Sequence, residues 1–203
     1  MFRACSLIAL AVLTLSGTVP TSNAVLDGPG FTLDGKLKMP AEYREWVYLT
    51  SGLDMSYAAS ASASDHSMFD NVFVNPSAYR VFKETGTWPE GTMLVLENRV
   101  AESKNSINKH GKTQSPELMG VEVHVKDSAH IPGGWGFYAF GGADTAKLIN
   151  RTADCYSCHE QHAAVDTTFV QFYPTLLGIA KQKKTFSKEY LKEISAPVAN
   201  SGK

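Results

Sequence analysis

Hydrophobic and polar residues alternate through the middle of this 203-residue chain, a period-two pattern that is typical of β-strands. The pattern is clearest over residues 118–127, where three valines alternate with Glu122, His124 and Lys126. Successive side chains of a strand point to opposite faces, so we expect these three residues on a polar face, away from the core. Further strands are predicted over residues 68–75, 91–100 and 134–142.

Other segments show helical spacing or turn chemistry. Apolar residues in 41–52 fall at helical intervals and Gly52 provides a stop, so a helix is predicted there. A short helix is predicted from Pro76 to Gly86, and further helices from about residue 154 to 184. Loops are expected over 57–65 and 104–116. Strands followed by helices predict an α+β fold, with an antiparallel sheet, flanking helices and a helical C-terminal part.

The first residues resemble a cleaved export signal. The stretch MFRACSLIALAVLTLSGTVPTSNA has an early arginine, an apolar run over 7–15 and small residues before position 25. That run is shorter than the ~20 apolar residues that span a bilayer, which makes a membrane anchor the weaker alternative. We therefore expect a signal peptide at 1–24, one domain at 25–184, a flexible tail at 185–203, and a periplasmic location.

Charge gives little indication of a macromolecular partner. The chain has 19 Lys and Arg residues against 20 Asp and Glu residues, a net charge of -1 with neutral histidines. Such a balance gives no reason to expect binding to nucleic acid or to an anionic membrane surface.

The stretch DCYSCHEQH at 154–162 contains the candidate chemistry. A disulfide between Cys155 and Cys158 would close a very small loop, and the motif lies too far along the chain for a thioredoxin-like pair. Structural zinc would need a second pair of ligands. The spacing C-x-x-C-H instead predicts one covalent haem c, with both thiols bonded to the haem and His159 as iron ligand.

Five blocks together resemble the cytochrome P-460 family, including its sheet-built relatives called cytochrome c′-beta. The blocks are YREWVYL at 43–49, FDNVFVNPSAYRVFKETGTWPEGTMLVLE at 69–97, GVEVHVKDS at 120–128, GGWGFYAF at 133–140 and CYSCHEQHAAVDTTFVQFYPTL at 155–176. The resemblance implies a β-sheet haem pocket in a homodimer. It also implies binding of nitric oxide or, in the hydroxylamine-oxidising members, oxidation of hydroxylamine.

One departure from the family pattern bears on activity. The hydroxylamine-oxidising members carry a lysine that bonds covalently to the haem ring, and the aligned position here is Leu96. The resemblance therefore favours the nitric oxide binders. It also makes Phe69, at the place of a distal aromatic residue, and Phe140, in the aromatic block, candidates to line the haem pocket.

Two alternatives to nitric oxide binding stay open. One is a hydroxylamine-oxidising enzyme, and the other is an electron-transfer cytochrome with a Met or His on the distal side of the iron. All three would exchange electrons with a periplasmic redox partner. The candidate distal ligands are Met55, Met68, Met93, Met119, His66, His110, His124 and His130.

Overall fold

The computed structural model describes residues 27–55, 67–103, 107 and 109–196. The predicted signal peptide, the predicted loop at 57–65, His66 and the last seven residues of the tail lie outside the described residues. The elements in chain order are β1 (Leu37–Lys38), β2 (Val47–Leu53), β3 (Met68–Val74), α1 (Pro76–Thr85), β4 (Met93–Ser103), β5 (Lys112–Lys126), β6 (Trp135–Ala139), β7 (Thr145–Ala146), α2 (Asp154–His162), α3 (Pro174–Lys183) and α4 (Lys188–Ser195).

The strands confirm the predicted antiparallel sheet and, with the helices, the α+β fold. Strands β2 to β6 pair in chain order, and β1 pairs with β7 in a small second sheet. The register places Val72 beside Leu96 and Leu96 beside Glu122 in one row across the main sheet. The next row on the same face contains Leu94, His124 and Phe137. These two rows form one wall of the site described below.

Both faces of the main sheet are covered, by different parts of the chain. One face packs against helices α1 and α3 and the segment before α3, through buried residues such as Phe82, Val165 and Leu176. The opposite face carries Val95, Val121 and Val125, and is covered by residues from the N-terminal part of the chain. A strand covered on both faces can place a polar residue in the interior, provided that the residue finds a partner there.

Helix α1 confirms the prediction made from Pro76 and Gly86. Proline occupies the first turn, where its missing N–H costs nothing. Gly86 ends the helix at φ 77°, and its N–H donates to the carbonyl of Phe82. The hydroxyl of Thr185 donates to the Gly86 carbonyl at 2.7 Å, which joins the end of α1 to the C-terminal part of the chain.

The prediction of a helix over residues 41–52 is wrong. Only a short 3-10 turn at Tyr43–Glu45 is present, and the rest of the segment is strand β2. The spacing of the apolar residues in this segment fits a helix as well as a strand, and pairing with β3 favours the strand. A shift of register between Tyr48 and Thr50 further disturbs the alternation that would have identified the strand.

Two further boundaries differ from the sequence prediction. Strand β5 begins at Lys112, inside the predicted loop, because its first residues pair with the end of β4. Helix α4 occupies residues 188–195 of the predicted tail, and the Ser187 side chain caps it by accepting from the Tyr190 N–H. None of the helices in the described part of the chain is long and apolar enough to cross a lipid bilayer.

Candidate functional site

Helix α2 carries the two cysteines and the histidine of the motif. Cys155 and Cys158 are three residues apart and His159 is four residues after Cys155, so all three share one side of the helix. Both cysteines are free thiols, and each is partly buried. Burial raises the pKa of each thiol, so both stay protonated at neutral pH.

Tyr156 fixes this helix against the main sheet. Its side chain is buried, and its hydroxyl accepts from the Phe137 N–H at 3.3 Å while donating to the Ile149 carbonyl at 3.0 Å. The rings of Tyr156 and Phe137 meet edge to face at 4.8 Å. Strand β6 therefore sets where the helix lies and where its histidine points.

His159 is held by a hydrogen bond and by surrounding rings. Its Nδ1 lies 2.7 Å from the carbonyl oxygen of Thr167. The rings of Phe137 and Phe169 lie 4.7 and 4.2 Å from the imidazole, centre to centre. Burial lowers the pKa of His159, which favours a neutral ring. A carbonyl can only accept, so Nδ1 carries the proton and Nε2 keeps a lone pair for a metal ion.

The carbonyl that binds His159 belongs to a tight turn at residues 165–168, which we call the Thr167 turn. Val165 and Thr168 exchange backbone hydrogen bonds across it, and Asp166 has a left-handed φ of 52°. The buried Trp88 indole donates to the Thr168 hydroxyl at 2.7 Å. A residue within the loop between α1 and β4 thus holds the turn that orients the histidine.

His124 lies beside His159, in the interior of the protein. The prediction that it lies on a polar face away from the core is therefore wrong. Only 7% of the residue is exposed. Its ring stacks on Phe137 at 3.9 Å and 11°, and it approaches the His159 ring at 5.1 Å. Its Nε2 lies 3.2 Å from the hydroxyl of Thr167. Burial, with a smaller contribution from His159, lowers its pKa well below the ordinary histidine value, so this ring is neutral.

A cavity of about 320 Å³ opens between the sheet and the C-terminal segment, and we call it the sheet cavity. His159 reaches it from one side, and alternate residues of β2 to β6 form the other. Most of the lining is apolar or aromatic, as in sites for flat organic ligands. The lining residues are Thr50, Gly52, Met55, Asp70, Val72, Leu94, Leu96, Glu122, Val123, His124, Phe137, His159, Thr168, Phe169, Phe172 and Tyr173.

Two carboxyl groups line the sheet cavity in addition to these apolar side chains. Burial raises the pKa of Asp70, although the Asn98 amide donates to it at 2.6 Å and opposes the shift. Glu122 keeps part of its surface in solvent, and partial desolvation together with the charge of Asp70 raises its pKa. Carboxyls with raised pKa values can exchange protons closer to neutral pH than ordinary ones.

The predicted site residues divide into two groups. Leu96 and His159 line the sheet cavity, and the two cysteines lie on the helix that carries His159. Phe69 lies on β3 at a position that alternates with Asp70 and Val72, so it faces the opposite side of the sheet. Phe140 follows β6 and is buried in the core on that opposite side. The structure therefore brings neither phenylalanine to the cavity wall.

The structure also adds residues that sequence reasoning did not assign to the site. Phe169 packs on His159, and the Thr167 carbonyl accepts a hydrogen bond from Nδ1 of His159. A backbone carbonyl carries no residue-type signal, since any amino acid could supply it. Of the candidate distal ligands, Met55 and His124 line the cavity, whereas Met93 is buried in the opposite core and Met119 is exposed.

These residues fit the haem that the motif predicts. An apolar slot suits the porphyrin, two free thiols lie one helical turn apart on the helix whose His159 lines that slot, and the Nδ1 hydrogen bond of His159 leaves its Nε2 for a metal ion. Among the described residues, no three or more His, Cys, Asp or Glu side chains cluster to hold a metal ion by themselves. A neutral His159 beside an open cavity is an arrangement that suits a haem iron with one protein ligand.

Comparison with known proteins agrees with this geometry. A comparison with curated proteins found no match. Residues 40–170 match the family described as Cytochrome P460, a range that contains the sheet, helix α2 and the Thr167 turn. The match covers more than half of the chain, and the protein therefore belongs to the cytochrome P460 family of haem proteins.

Proposed function

We propose that this protein is an exported c-type cytochrome that binds nitric oxide, or a related small nitrogen species, at an open haem position. Cys155 and Cys158 would hold one haem through thioether bonds, formed by addition of each thiol S–H across a vinyl group, and Nε2 of His159 would ligate its iron. The bound haem supplies an iron centre with one position available for a small ligand.

The observation that carries the proposal is the aliphatic wall of the sheet cavity. Val72, Leu94 and Leu96 occupy adjacent positions on its sheet side. Aliphatic side chains exclude water and give a small neutral ligand no polar competitor. Leu96 stands where the hydroxylamine-oxidising members have their cross-linking lysine, and it can form no such bond.

The charged groups of the sheet cavity support a neutral ligand in a second way. Asp70 and Glu122 contribute acidic groups to the lining, while none of the described Lys or Arg residues belongs to it. When ionised, these carboxylates repel anions such as nitrite or azide and leave uncharged nitric oxide unaffected. The site therefore selects by charge as well as by polarity.

The proposal includes a cellular setting. Residues 1–24 direct export and are removed, and the mature protein works in the periplasm, where a redox partner exchanges electrons with the haem. The mature chain forms a homodimer and binds no nucleic acid, in line with its near-zero net charge.

Hydroxylamine oxidation is the second candidate function, and the two carboxyl groups favour it. Hydroxylamine loses protons and electrons as it is oxidised, and Asp70 and Glu122 could accept those protons. The electrons would pass through the haem to the redox partner. The leucine at position 96 weighs against this activity, because the covalent link that accompanies it in the family is missing.

Optical spectra of the ferrous, haem-loaded protein test these alternatives. We expect a five-coordinate high-spin spectrum that changes on addition of nitric oxide. A low-spin spectrum without added ligand would contradict an open site. If Met55→Ala then restored the high-spin form, Met55 would be the sixth ligand and the protein an electron-transfer cytochrome. Turnover of hydroxylamine with an electron acceptor would establish the second candidate.

Mass spectrometry of haem peptides tests the covalent attachment. The tryptic peptide that contains Cys155 and Cys158 should carry the mass of one haem, and no second peptide should be joined to it. Replacing both cysteines by alanine should leave the haem extractable. Haem that stayed covalently bound in this double variant would contradict the assignment.

A further inference from the structure

His124 is a buried polar residue in a position where the sheet could have placed an aliphatic side chain. Its neighbours on β5, Val123 and Val125, point to the opposite core. Its own ring lies between the aromatic groups of Trp135, at 4.5 Å, and Phe137, at 3.9 Å. An imidazole in such surroundings is stable only if its nitrogen atoms find partners.

The hydrogen-bond partner of His124 is the residue that binds the iron ligand. Nε2 of His124 lies 3.2 Å from the side-chain oxygen of Thr167. The main-chain oxygen of the same Thr167 accepts from Nδ1 of His159 at 2.7 Å. The side chain of Thr167 is thus held by His124, and its backbone carbonyl holds His159.

The Thr167 turn has a second side-chain anchor on the other side of that carbonyl. Trp88 donates to the hydroxyl of Thr168 at 2.7 Å. Asp166, just before Thr167, adopts a left-handed conformation that costs energy for a residue other than glycine. The direction of the Thr167 carbonyl therefore depends on two side-chain anchors, His124 at Thr167 itself and Trp88 at Thr168.

We propose that His124 is a positioning residue for the haem iron ligand, acting through Thr167 on the hydrogen bond to Nδ1 of His159. The proposal rests on the ligation of iron by His159. A strong Nδ1–H···O=C bond raises the electron-donating power of an imidazole ligand, and partners of this kind tune metal sites by about ten- to hundredfold. His124 secures that bond by fixing the turn that supplies the acceptor.

Two substitutions isolate this role. Thr167→Val removes the hydroxyl and keeps the backbone carbonyl, and His124→Phe keeps the ring stacking and removes the nitrogen atoms. Both should weaken the His159 hydrogen bond, lower the iron–histidine stretching frequency in resonance Raman spectra of the ferrous protein, and raise the midpoint potential. We expect a shift of about tenfold in the one-electron equilibrium constant, which is about 59 mV.

Coupling and rescue distinguish positioning from simple packing. The double variant should shift the potential no more than either single variant, because both act on one hydrogen bond. His124→Gln, which keeps a polar nitrogen at the end of its side chain, should recover part of the shift. His130→Phe is the matched control, since its side chain is 65% exposed and bonds to Asp127, and it should change neither measurement.

The outcomes separate this proposal from the assignment of the ligand. If the unmodified protein shows an iron–histidine band that neither variant moves, His124 is only a packed core residue and the proposal is overturned. If the unmodified protein, or Met55→Ala should the unmodified protein be low-spin, is five-coordinate and high-spin but lacks that band, ligation by His159 fails and this proposal fails with it. Should His124→Phe not fold, Thr167→Val alone decides between positioning and packing, because it changes a partly buried residue to one of equal shape.

Discussion

Glu97 is a buried carboxylate on the strand that carries Leu96, and its replacement in Glu97→Gln should destabilise the fold. Only 3% of Glu97 is exposed. Its oxygens accept from the Tyr43 hydroxyl at 2.5 Å, from Arg44 Nε at 2.8 Å and from Arg99 Nε at 2.5 Å. These groups lie on the face opposite the sheet cavity and fix the outer side of β4.

The expected loss of stability follows from the donor groups that a glutamine amide would leave without an acceptor. Glutamine has one acceptor oxygen, and its NH₂ group would face a guanidinium donor. Breaking a buried ion pair costs about 3 to 5 kcal/mol, but the Arg44 side chain is 53% exposed and can turn to water. We therefore expect Glu97→Gln to lower the free energy of unfolding by about 2 to 4 kcal/mol at neutral pH.

The same substitution makes a prediction about pH. Burial alone would raise the pKa of Glu97, but hydrogen bonds from Arg99 and Tyr43 and the two guanidinium charges hold it below the ordinary value. A lowered pKa stabilises the fold above the unfolded value of about 4.3, and this stabilisation disappears as the pH falls through the folded value. The difference in free energy of unfolding between the unmodified protein and Glu97→Gln should therefore decrease in acid.

Urea denaturation of the haem-loaded protein, followed by circular dichroism, measures both effects. Glu117→Gln is the control, because this carboxylate is exposed on β5 and its loss should change the free energy of unfolding by less than about 0.5 kcal/mol. A loss for Glu97→Gln as small as that of the control would refute the reasoning. So would a loss that stayed constant from neutral to acid pH.

Three other substitutions probe the fold and the site. Gly86→Ala should lower the free energy of unfolding by about 1 to 3 kcal/mol more than Gly35→Ala in urea denaturation. Both glycines have φ 77°, but of the two only Gly86 lies where a new Cβ would meet a side chain, at 2.7 Å. Trp88→Phe keeps an aromatic ring and loses the 2.7 Å bond to Thr168, so it should cost about 1 to 2 kcal/mol in the same assay; an unchanged value would show that the bond contributes nothing. Glu122→Gln should raise the azide affinity of the ferric protein about three- to tenfold in optical titrations. That gain should fade in acid, because Glu122 has a raised pKa and is protonated and uncharged there in the unmodified protein as well, and a pH-independent gain would argue against this reasoning.

Local signals in the sequence predict the sheet and helix α1 well. Pro76 and Gly86 mark the two ends of α1 through properties of their own backbones, so no tertiary information is needed. The motif around Cys155 likewise predicts a helix with all three functional side chains on one side. Strand β2 escapes prediction because the apolar positions of residues 41–52 fit a helix as well, and only pairing with β3 favours the strand.

The site itself can be predicted only in part. Alternation assigns His124 correctly to the face opposite the valines, but it does not show that this face is covered by residues 159–173. The expectation for Phe69 comes from the family resemblance, and the register of β3 instead turns Phe69 away and brings Asp70 to the cavity. Which face of a two-sided sheet receives a cofactor is a tertiary property.

The Trp88–Thr168 bond has a consequence for how the molecule opens. Proteins unfold locally in cooperative units, and chain ends usually open first. Because Trp88 is buried against Phe82 at 4.2 Å, the Thr167 turn belongs to the same unit as α1 and the sheet, although it lies 80 residues further along the chain. Fraying of α4 would therefore leave the acceptor of His159 in place. The amides of Val165 and Thr168, which donate across the turn, should exchange with solvent as slowly as those of the central strands.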